Sequence, residues 1–203
     1  MEETRRARKK RQTRELIAEA AFRLFAERGF EQTTVAQIAA AADVATKTFF
    51  NHFPSKEDVV FFAAGDYYEV TLEVLAGRRP DESIADLLLR TYEEVVARFL
   101  DHGPLSDEPG WAAPYRTLVM TVPSVQARAL MVLLDLQRKI AAAFAETFPE
   151  EIDEVTAAAA IGALMGALQA ASLVSHELGH SEPERRKAGA GAAELAMRGL
   201  RSL

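Results

Sequence analysis

Residues 33–56, TTVAQIAAAADVATKTFFNHFPSK, contain two short helix patterns separated by a tight turn and followed by a third helix start. Thr34 and Gln37 form a capping box, in which each side chain accepts a hydrogen bond from the other residue's backbone N–H. The next apolar residues share one helical face: Val35, Ile38, Ala39 and Ala42. Asp43 tolerates the left-handed backbone of a turn. We therefore predict that the first helix ends there.

The second helix is predicted from about Ala45 to His52, because Pro54 cannot continue it and Ser55 caps a further helix. A helix, a tight turn and a second helix form the geometry that lays a recognition helix in the major groove of DNA. Phe49 and Phe53 can anchor this second helix to its own domain. Its other side chains are polar or cationic, as base and phosphate contacts require: Thr46, Lys47, Thr48, Asn51 and His52.

The same run resembles the DNA-binding domain of the TetR family of bacterial transcription repressors, whose pattern is roughly T-x-x-x-I-A-x-x-A-G-V-S-x-G-T-L-Y-x-H-F-x-S-K. The residues that match it are Thr34, Ile38, Ala39, Ala42, Val44, Thr48, His52, Phe53, Ser55 and Lys56. Three residues depart from it, since Asp43, Ala45 and Lys47 stand where Gly, Ser and Gly are usual. The resemblance implies that Thr34, Phe50 and Lys56 contact phosphates or sugars, and it adds Ala45 to the DNA-facing residues.

The resemblance also implies an all-α chain in which residues 1–55 form a three-helix helix-turn-helix DNA-binding domain. Residues 56–203 would then form a larger helical domain that binds a small-molecule effector and makes a homodimer. The implied partner is a nearly palindromic double-stranded operator, and no cofactor is implied. Aromatic and Met side chains that could line an effector pocket are Phe99, Trp111, Tyr115, Met120, Met131 and Phe144.

Composition agrees with a helical protein of the cytoplasm. The 203 residues contain no Cys, which excludes disulfides and thiolate zinc sites, and the charged N-terminus has no apolar run typical of a signal peptide. Residues 1–60 contain 11 Lys/Arg and 9 Asp/Glu, whereas the whole chain has a net charge of −6. A locally basic module in an acidic protein can still bind phosphate.

The first residues form a basic arm that contains Arg5, Arg6, Arg8, Lys9, Lys10, Arg11 and Arg14. Two interpretations stay open, a solvated disordered tail and a segment that contacts phosphates or the minor groove of DNA. The first helix is predicted from about Arg11 to Arg28, with Gly29 as its stop.

Apolar spacing predicts five further helices. One runs from Ser55 toward Ala76 and one from Ser83 to Asp101. Residues 118–123 lead into a long helix to about Phe148, and the last two helices run from Val155 to Ser175 and from about Glu184 to Leu203. Residues 103–114, with three Pro and two Gly, are predicted to be a loop or a broken helix. Residues 155–175 contain no charged residue, but Ala and polar residues make a membrane span a poor interpretation. We expect close helix packing instead, with a dimer interface at Gly162, Gly166 and Leu195.

His176-Glu177-Leu178-Gly179-His180 matches H-E-x-x-H, the zinc-binding helix of metallopeptidases. Gly179 and Pro183 mark a helix end at this motif, and Glu194 is the one nearby candidate for a third ligand. We therefore predict an inter-helix loop and no enzyme. A zinc peptidase and an effector-independent DNA-binding protein are the alternatives.

Overall fold

A computed structural model describes residues 5–101 and 111–200 of this chain, and that part contains ten α-helices and no strand. The helices are α1 Arg5–Arg28, α2 Val35–Ala41, α3 Thr46–His52, α4 Lys56–Val60, α5 Ala64–Ala76, α6 Ile84–Val95, α7 Ala112–Thr121, α8 Pro123–Thr147, α9 Glu154–Glu177 and α10 Glu182–Leu200. A π-helical segment, Val96–Asp101, follows α6. The predicted all-α class is confirmed.

The contacts divide the chain into two compact units. The first contains Met1–Ala63 with Pro104–Leu130, and the second contains Ala64–Gly103 with Met131–Leu203. These units do not coincide with the predicted division at residues 55 and 56, because residues 104–130 belong to the first unit. The assignment of DNA binding to 1–55 and of effector binding and dimerisation to 56–203 stays a prediction.

The first unit has an aromatic core built on the inner face of α1. Phe22 is 1% exposed and stacks on Trp111, with ring centroids 5.4 Å apart. Phe62 meets the edge of the same indole at 5.6 Å, and Phe25 contacts Phe30 at 4.9 Å. Each aromatic pair adds roughly 0.5–1.5 kcal/mol beyond the burial of its area. The core therefore joins α1 to the start of α7.

Two sequence predictions about this unit were wrong. The first helix already includes Arg5, before its predicted start near Arg11, so the described part of the basic arm is helical. The helix predicted from Ser55 to Ala76 is broken into α4 and α5 by a turn at residues 61–63. In this turn the amides of Phe61 and Phe62 donate to residues three positions back, and the carbonyl of Phe62 accepts from Arg14. A side chain of α1 thus contacts the backbone at this break.

In the second unit, α5 packs on α6, and α10 packs on both α6 and α9. A buried ion pair closes the turn between α5 and α6. Glu82 is 8% exposed, and its carboxylate accepts two bonds of 2.7 Å from the Arg90 guanidinium. Chiefly because of these bonds, the pKa of Glu82 falls to about 2. The stability of the fold therefore depends on whether the Glu82 carboxylate is ionised.

Two glycines of this unit lie close to side chains of other helices. A Cβ on Gly162 would lie 2.5 Å from Gln137 Nε2 of α8, and one on Gly189 would lie 2.7 Å from the Tyr92 hydroxyl of α6. Gly162 was predicted to face a second copy of the chain. Because the end of the Gln137 side chain is flexible and can move, this contact does not test the interface, and the role of Gly162 stays a prediction.

We predict that Glu82→Gln lowers the free energy of unfolding by about 3 kcal/mol at neutral pH, because one pKa unit corresponds to about 1.4 kcal/mol. The pKa of Glu82 is depressed in the folded protein, so this stability is present above the unfolded pKa of 4.5 and is lost as pH falls toward 2. Urea titrations between pH 7 and pH 3 measure the difference. The exposed carboxylate variant Glu69→Gln is the control, and a difference that stays constant with pH would contradict the prediction.

Candidate nucleic-acid interface

The turn between α2 and α3 has the predicted capping geometry. The Gln37 amide donates to Thr34 Oγ1 at 3.3 Å, and the Thr34 amide donates to Gln37 Oε1 at 2.9 Å. Asp43 has a φ of 54°, the left-handed conformation expected at this position. The amide of Val44 then donates to the carbonyl of Ala39 at 2.9 Å. These bonds fix the direction in which the chain enters α3.

Helix α3 has one buried face and one exposed face. Phe49 and Phe53 are at most 1% exposed, with ring centroids 5.8 Å apart. Thr48 and His52 are half-buried. The exposed face consists of Ala45, Thr46, Lys47, Phe50 and Asn51. Phe50 is 52% exposed although it is aromatic, which is typical of a binding residue and unusual for a core residue.

Arg14 of α1 holds the C-terminal end of α3. Its Nη1 donates to the carbonyl of His52 at 2.8 Å, and its Nη2 donates to the carbonyl of Phe62 at 3.0 Å. The guanidinium also lies over the Phe53 ring, 4.4 Å from the centroid. The sequence places Arg14 in the basic arm, but the structure gives it a positioning role. One signal for this was available, since Arg14 is one helical turn before the buried Ile17 and Ala18.

His52 lies at the boundary between the core and the exposed face. Its Nδ1 is buried and has no hydrogen-bond partner among the described residues. Burial lowers the pKa of His52, and the charges of Arg14 and Lys10 lower it further. The imidazole is therefore neutral near pH 7, and the cations of this face are Lys and Arg.

Lys56, predicted to contact phosphate, has partners within the chain. Its Nζ donates to the carbonyls of Phe30 at 2.9 Å and Thr33 at 3.3 Å, and it lies 4.3 Å from the centroid of the Phe30 ring. These contacts hold the start of α4 against the end of α1. An ammonium has three N–H groups, so one donor of Lys56 is left for a phosphate.

A second network ties α4 to α8 within the first unit. Ser55 Oγ caps α4 by accepting from the Asp58 amide at 3.3 Å and donates to Asp58 Oδ2 at 2.7 Å. The other carboxylate oxygen, Oδ1, accepts from Arg128 Nε at 2.7 Å and Nη2 at 2.6 Å. Sequence reasoning found the Ser55 cap but missed Arg128, because no local pattern connects residues 70 positions apart.

The residues predicted to line an effector pocket are divided between the two units. Trp111 and Tyr115 contact the aromatic core of the first unit, where burial raises the pKa of Tyr115 to about 12. Met120 is half-buried in the same unit. In the second unit, Phe144 is 1% exposed beside Phe148, whereas Met131 is 59% exposed on a surface groove between α8 and α9. The side chain of Phe99 lies outside the described residues.

The H-E-x-x-H motif crosses a helix end. Helix α9 ends at Glu177, and Gly179 has a φ of 67°. His180 therefore lies beyond the helix, with Nδ1 at 3.3 Å from Ser175 Oγ. Within residues 5–101 and 111–200, no group of three or more His, Cys, Asp or Glu side chains is placed to hold a metal ion.

One face of α9 is exposed and carries no charge over five turns. Its residues follow helical spacing: Val155, Ala159, Ala163, Gly166, Ala170, Leu173 and Val174. Val155 is 80% exposed, and Leu195 on the neighbouring α10 is 65% exposed. By length and composition α9 could also span a membrane, with a mean hydropathy of 1.7 and 22% of its apolar window buried. An apolar stripe of this length is typical of a helix that packs against a partner.

The helix-turn-helix region of this chain matches a known protein family. Residues 17–63 match the family described as bacterial regulatory proteins, tetR family. The HTH-type transcriptional regulator TcmR of Streptomyces glaucescens is 38% identical over 96 residues, which cover 47% of this chain and 42% of TcmR. The chain thus spans less than half the length of the curated relatives it matches.

Two solved structures share the fold. FadR of Thermus thermophilus, a TetR-family repressor in complex with lauroyl-CoA, is 28% identical with a TM-score of 0.53, over 91% of each chain. NalD of Pseudomonas aeruginosa, the secondary repressor of the MexAB-OprM multidrug efflux pump, has a TM-score of 0.53 at 20% identity, over 94% of this chain and 97% of NalD. At that identity NalD indicates the fold alone.

We predict that Arg14→Met destabilises the first unit by about 2–3 kcal/mol, since hydrogen bonds to a charged group contribute roughly 1.5–3 kcal/mol each and these are partly exposed. Thermal unfolding followed by circular dichroism measures the loss. Arg23→Met, at an exposed position of the same helix, is the matched control. Equal melting temperatures for the two variants would show that Arg14 does not hold α3.

Proposed function

Because the chain belongs to the TetR family of bacterial regulatory proteins, we propose that it is a transcription repressor that leaves its operator when a small-molecule effector binds. The observation that carries this proposal is the exposed polar face of α3, held on a buried aromatic face. Because its buried face already holds this helix in place, the helix does not have to become ordered when its polar side chains enter the major groove.

The proposed interface has two kinds of contact. Thr46, Lys47 and Asn51 on the exposed face are the candidates for base edges, because amide and cationic side chains read donors and acceptors in the major groove. The remaining contacts are to phosphates and sugars: Thr34, Ala45, Thr48, Phe50, His52 and Lys56. Phosphate contacts fix the register of a protein on DNA, and base contacts supply sequence specificity. Asn51 and Lys47 are therefore the residues expected to select the operator.

The protein is proposed to bind as a homodimer joined through α9 and α10. The charge-free stripe of α9, with Gly166 at its centre, gives a second copy room for close approach, since among the described residues no atom beyond its own helical turn lies within 4 Å of a Cβ built on Gly166. Leu195 of α10 extends the apolar surface. Two recognition helices related by a two-fold axis require two half-sites, so the operator would be nearly palindromic.

The effector is proposed to be a small molecule with apolar character. The support is indirect, since FadR was solved with lauroyl-CoA and the present chain is 28% identical to it. A ligand can release the repressor only through its different affinity for the DNA-binding and released states, typically 1–3 kcal/mol of coupling. The pocket residues and the effector's identity stay predictions. Screening ligands for release from the operator tests this part, and an operator complex that no ligand weakens favours the effector-independent alternative.

We predict that Lys47→Ala weakens operator binding by about 1–3 kcal/mol, because it removes one direct contact in the major groove. The measurement is fluorescence anisotropy on a duplex found by footprinting DNA that flanks the gene. Lys187→Ala, an exposed lysine of α10, is the control for lost charge. Unchanged affinity in the triple variant Thr46→Ala, Lys47→Ala, Asn51→Ala would refute the assignment of α3.

A separate prediction concerns assembly. We expect a dimer at micromolar concentration in sedimentation velocity, and at least tenfold weaker dimerisation for Gly166→Leu, because the larger side chain fills the space needed by the second copy. Gly→Leu also raises helix propensity, so the monomer keeps its fold. Leu72→Ala, at an exposed apolar position of α5, is the control. A monomeric wild type, or a fully dimeric Gly166→Leu, would place the interface elsewhere.

A further inference from the structure

The first three turns of α1 carry an unusual charge pattern. Between residues 5 and 14 there are seven Lys or Arg residues and no Asp or Glu. They occupy the first described turns of α1, and cations placed so closely on one helix repel one another. Such a pattern is unfavourable for folding by itself and is typical of a segment that meets a polyanion.

Four residues of this helix share one face, and α3 borders that face. Arg6, Lys9, Lys10 and Thr13 recur at intervals of three and four residues, and they line a groove of about 430 Å³ together with Asn51 and His52 of α3. Arg6, Lys9 and Lys10 are all exposed. The groove therefore joins a strip of positive charge to the end of the recognition helix, within the same compact unit.

The other face of the same helix does not meet α3 at this groove. Arg8 is exposed and lies about 150° around the helix from the centre of the Arg6, Lys9, Lys10 and Thr13 face at 100° per residue, and it does not line the groove. Arg14 is engaged with the backbone of α3 and the turn after α4. The chain thus supplies two classes of cation at the same end of α1, one beside the recognition helix and one away from it.

We propose that the groove between α1 and the C-terminal end of α3 is a second DNA-backbone site, which binds phosphates beside the major-groove segment read by α3. Arg6, Lys9 and Lys10 supply the charge for those phosphates. Asn51 lies at the junction of the groove and the base-reading face. The inference rests on the proposed function, and it assigns to a helical extension the contacts that a helix-turn-helix alone would not make.

The groove increases the affinity for DNA of any sequence, whereas α3 determines which sequence is bound specifically. Each phosphate neutralised releases counterions, so the slope of log K against log salt steepens by about 0.9 per contact on B-form DNA. The DNA charge also relieves the repulsion at the positive end of α1. Binding should therefore stabilise the first turns of α1, and it should do so on operator and unrelated DNA alike.

The experiment measures binding by fluorescence anisotropy from 50 to 300 mM salt, on the operator and on a scrambled duplex. The test variant is Lys9→Ala with Lys10→Ala. The matched control is Arg5→Ala with Arg8→Ala, which removes the same number of charges from exposed positions that do not line the groove. Alanine favours helix, so both variants are expected to keep their circular dichroism. Lys9→Gln with Lys10→Gln is a second form of the test that keeps polar side chains of similar length.

We expect the Lys9 and Lys10 variant to lose at least tenfold in affinity for both duplexes, with the slope smaller by about 0.9 for each lost contact per protomer. The control variant Arg5→Ala with Arg8→Ala should change either slope by much less. Equal effects of the control and the Lys9 and Lys10 variant would show that only net charge matters and would overturn the proposal, as would an unchanged slope in the Lys9 and Lys10 variant. A loss that appears only when A·T pairs flank the operator would indicate minor-groove readout in place of phosphate binding.

Failure of the proposed function has a different signature. If the wild type bound the operator and the scrambled duplex equally, the repressor assignment would fall, whereas the salt slopes would still decide whether the groove contacts phosphates. If Lys47→Ala lost operator affinity while the Lys9 and Lys10 variants did not, the repressor would stand and the groove would be excluded.

Discussion

Everything in the first unit depends on holding a helix too short to form by itself. Helix α3 has seven residues, and isolated helices below about 12–15 residues are marginal in water. Its stability comes from the buried rings of Phe49 and Phe53 and from Arg14. The Arg14 guanidinium lies over the Phe53 ring and donates a hydrogen bond to the carbonyl of His52. Because these supports lie on one side, the opposite side is exposed with its polar groups already ordered.

The same constraint explains the surrounding caps. Thr34 and Gln37 fix the start of α2, Asp43 takes the left-handed turn, and Lys56 holds α4 against the end of α1. The capping box satisfies backbone amides at the start of α2, where the first N–H groups of a helix lack partners, and Lys56 satisfies the carbonyls of Phe30 and Thr33 in the loop after α1. Without them the entry angle of α3 would vary, and a recognition helix displaced by about 1 Å loses much of its contact energy.

Contacts between residues close together in the chain were predictable from the sequence, whereas contacts between distant residues were not. The caps at Thr34 and Ser55 and the turn at Asp43 depend on residues within four positions, and the structure has all three. The role of Arg14 depends on contacts 38 and 48 positions apart, which no periodic pattern records. Gly162 shows a related limit. A small residue predicts a close neighbour without identifying it, and one close neighbour is Gln137 of the same chain.

The central claim is that α3 reads the major groove as one of a symmetric pair. The chain contains no Cys, so a single introduced thiol can carry a DNA-cleaving iron chelate at one known position. With the chelate at Ala45→Cys, beside the start of α3, the account predicts two clusters of cuts in the operator, related by a two-fold axis and one or more helical turns apart. The same chelate at Ala76→Cys in α5 is expected to cut far less. Cuts without symmetry, or stronger cleavage from position 76, would contradict the account.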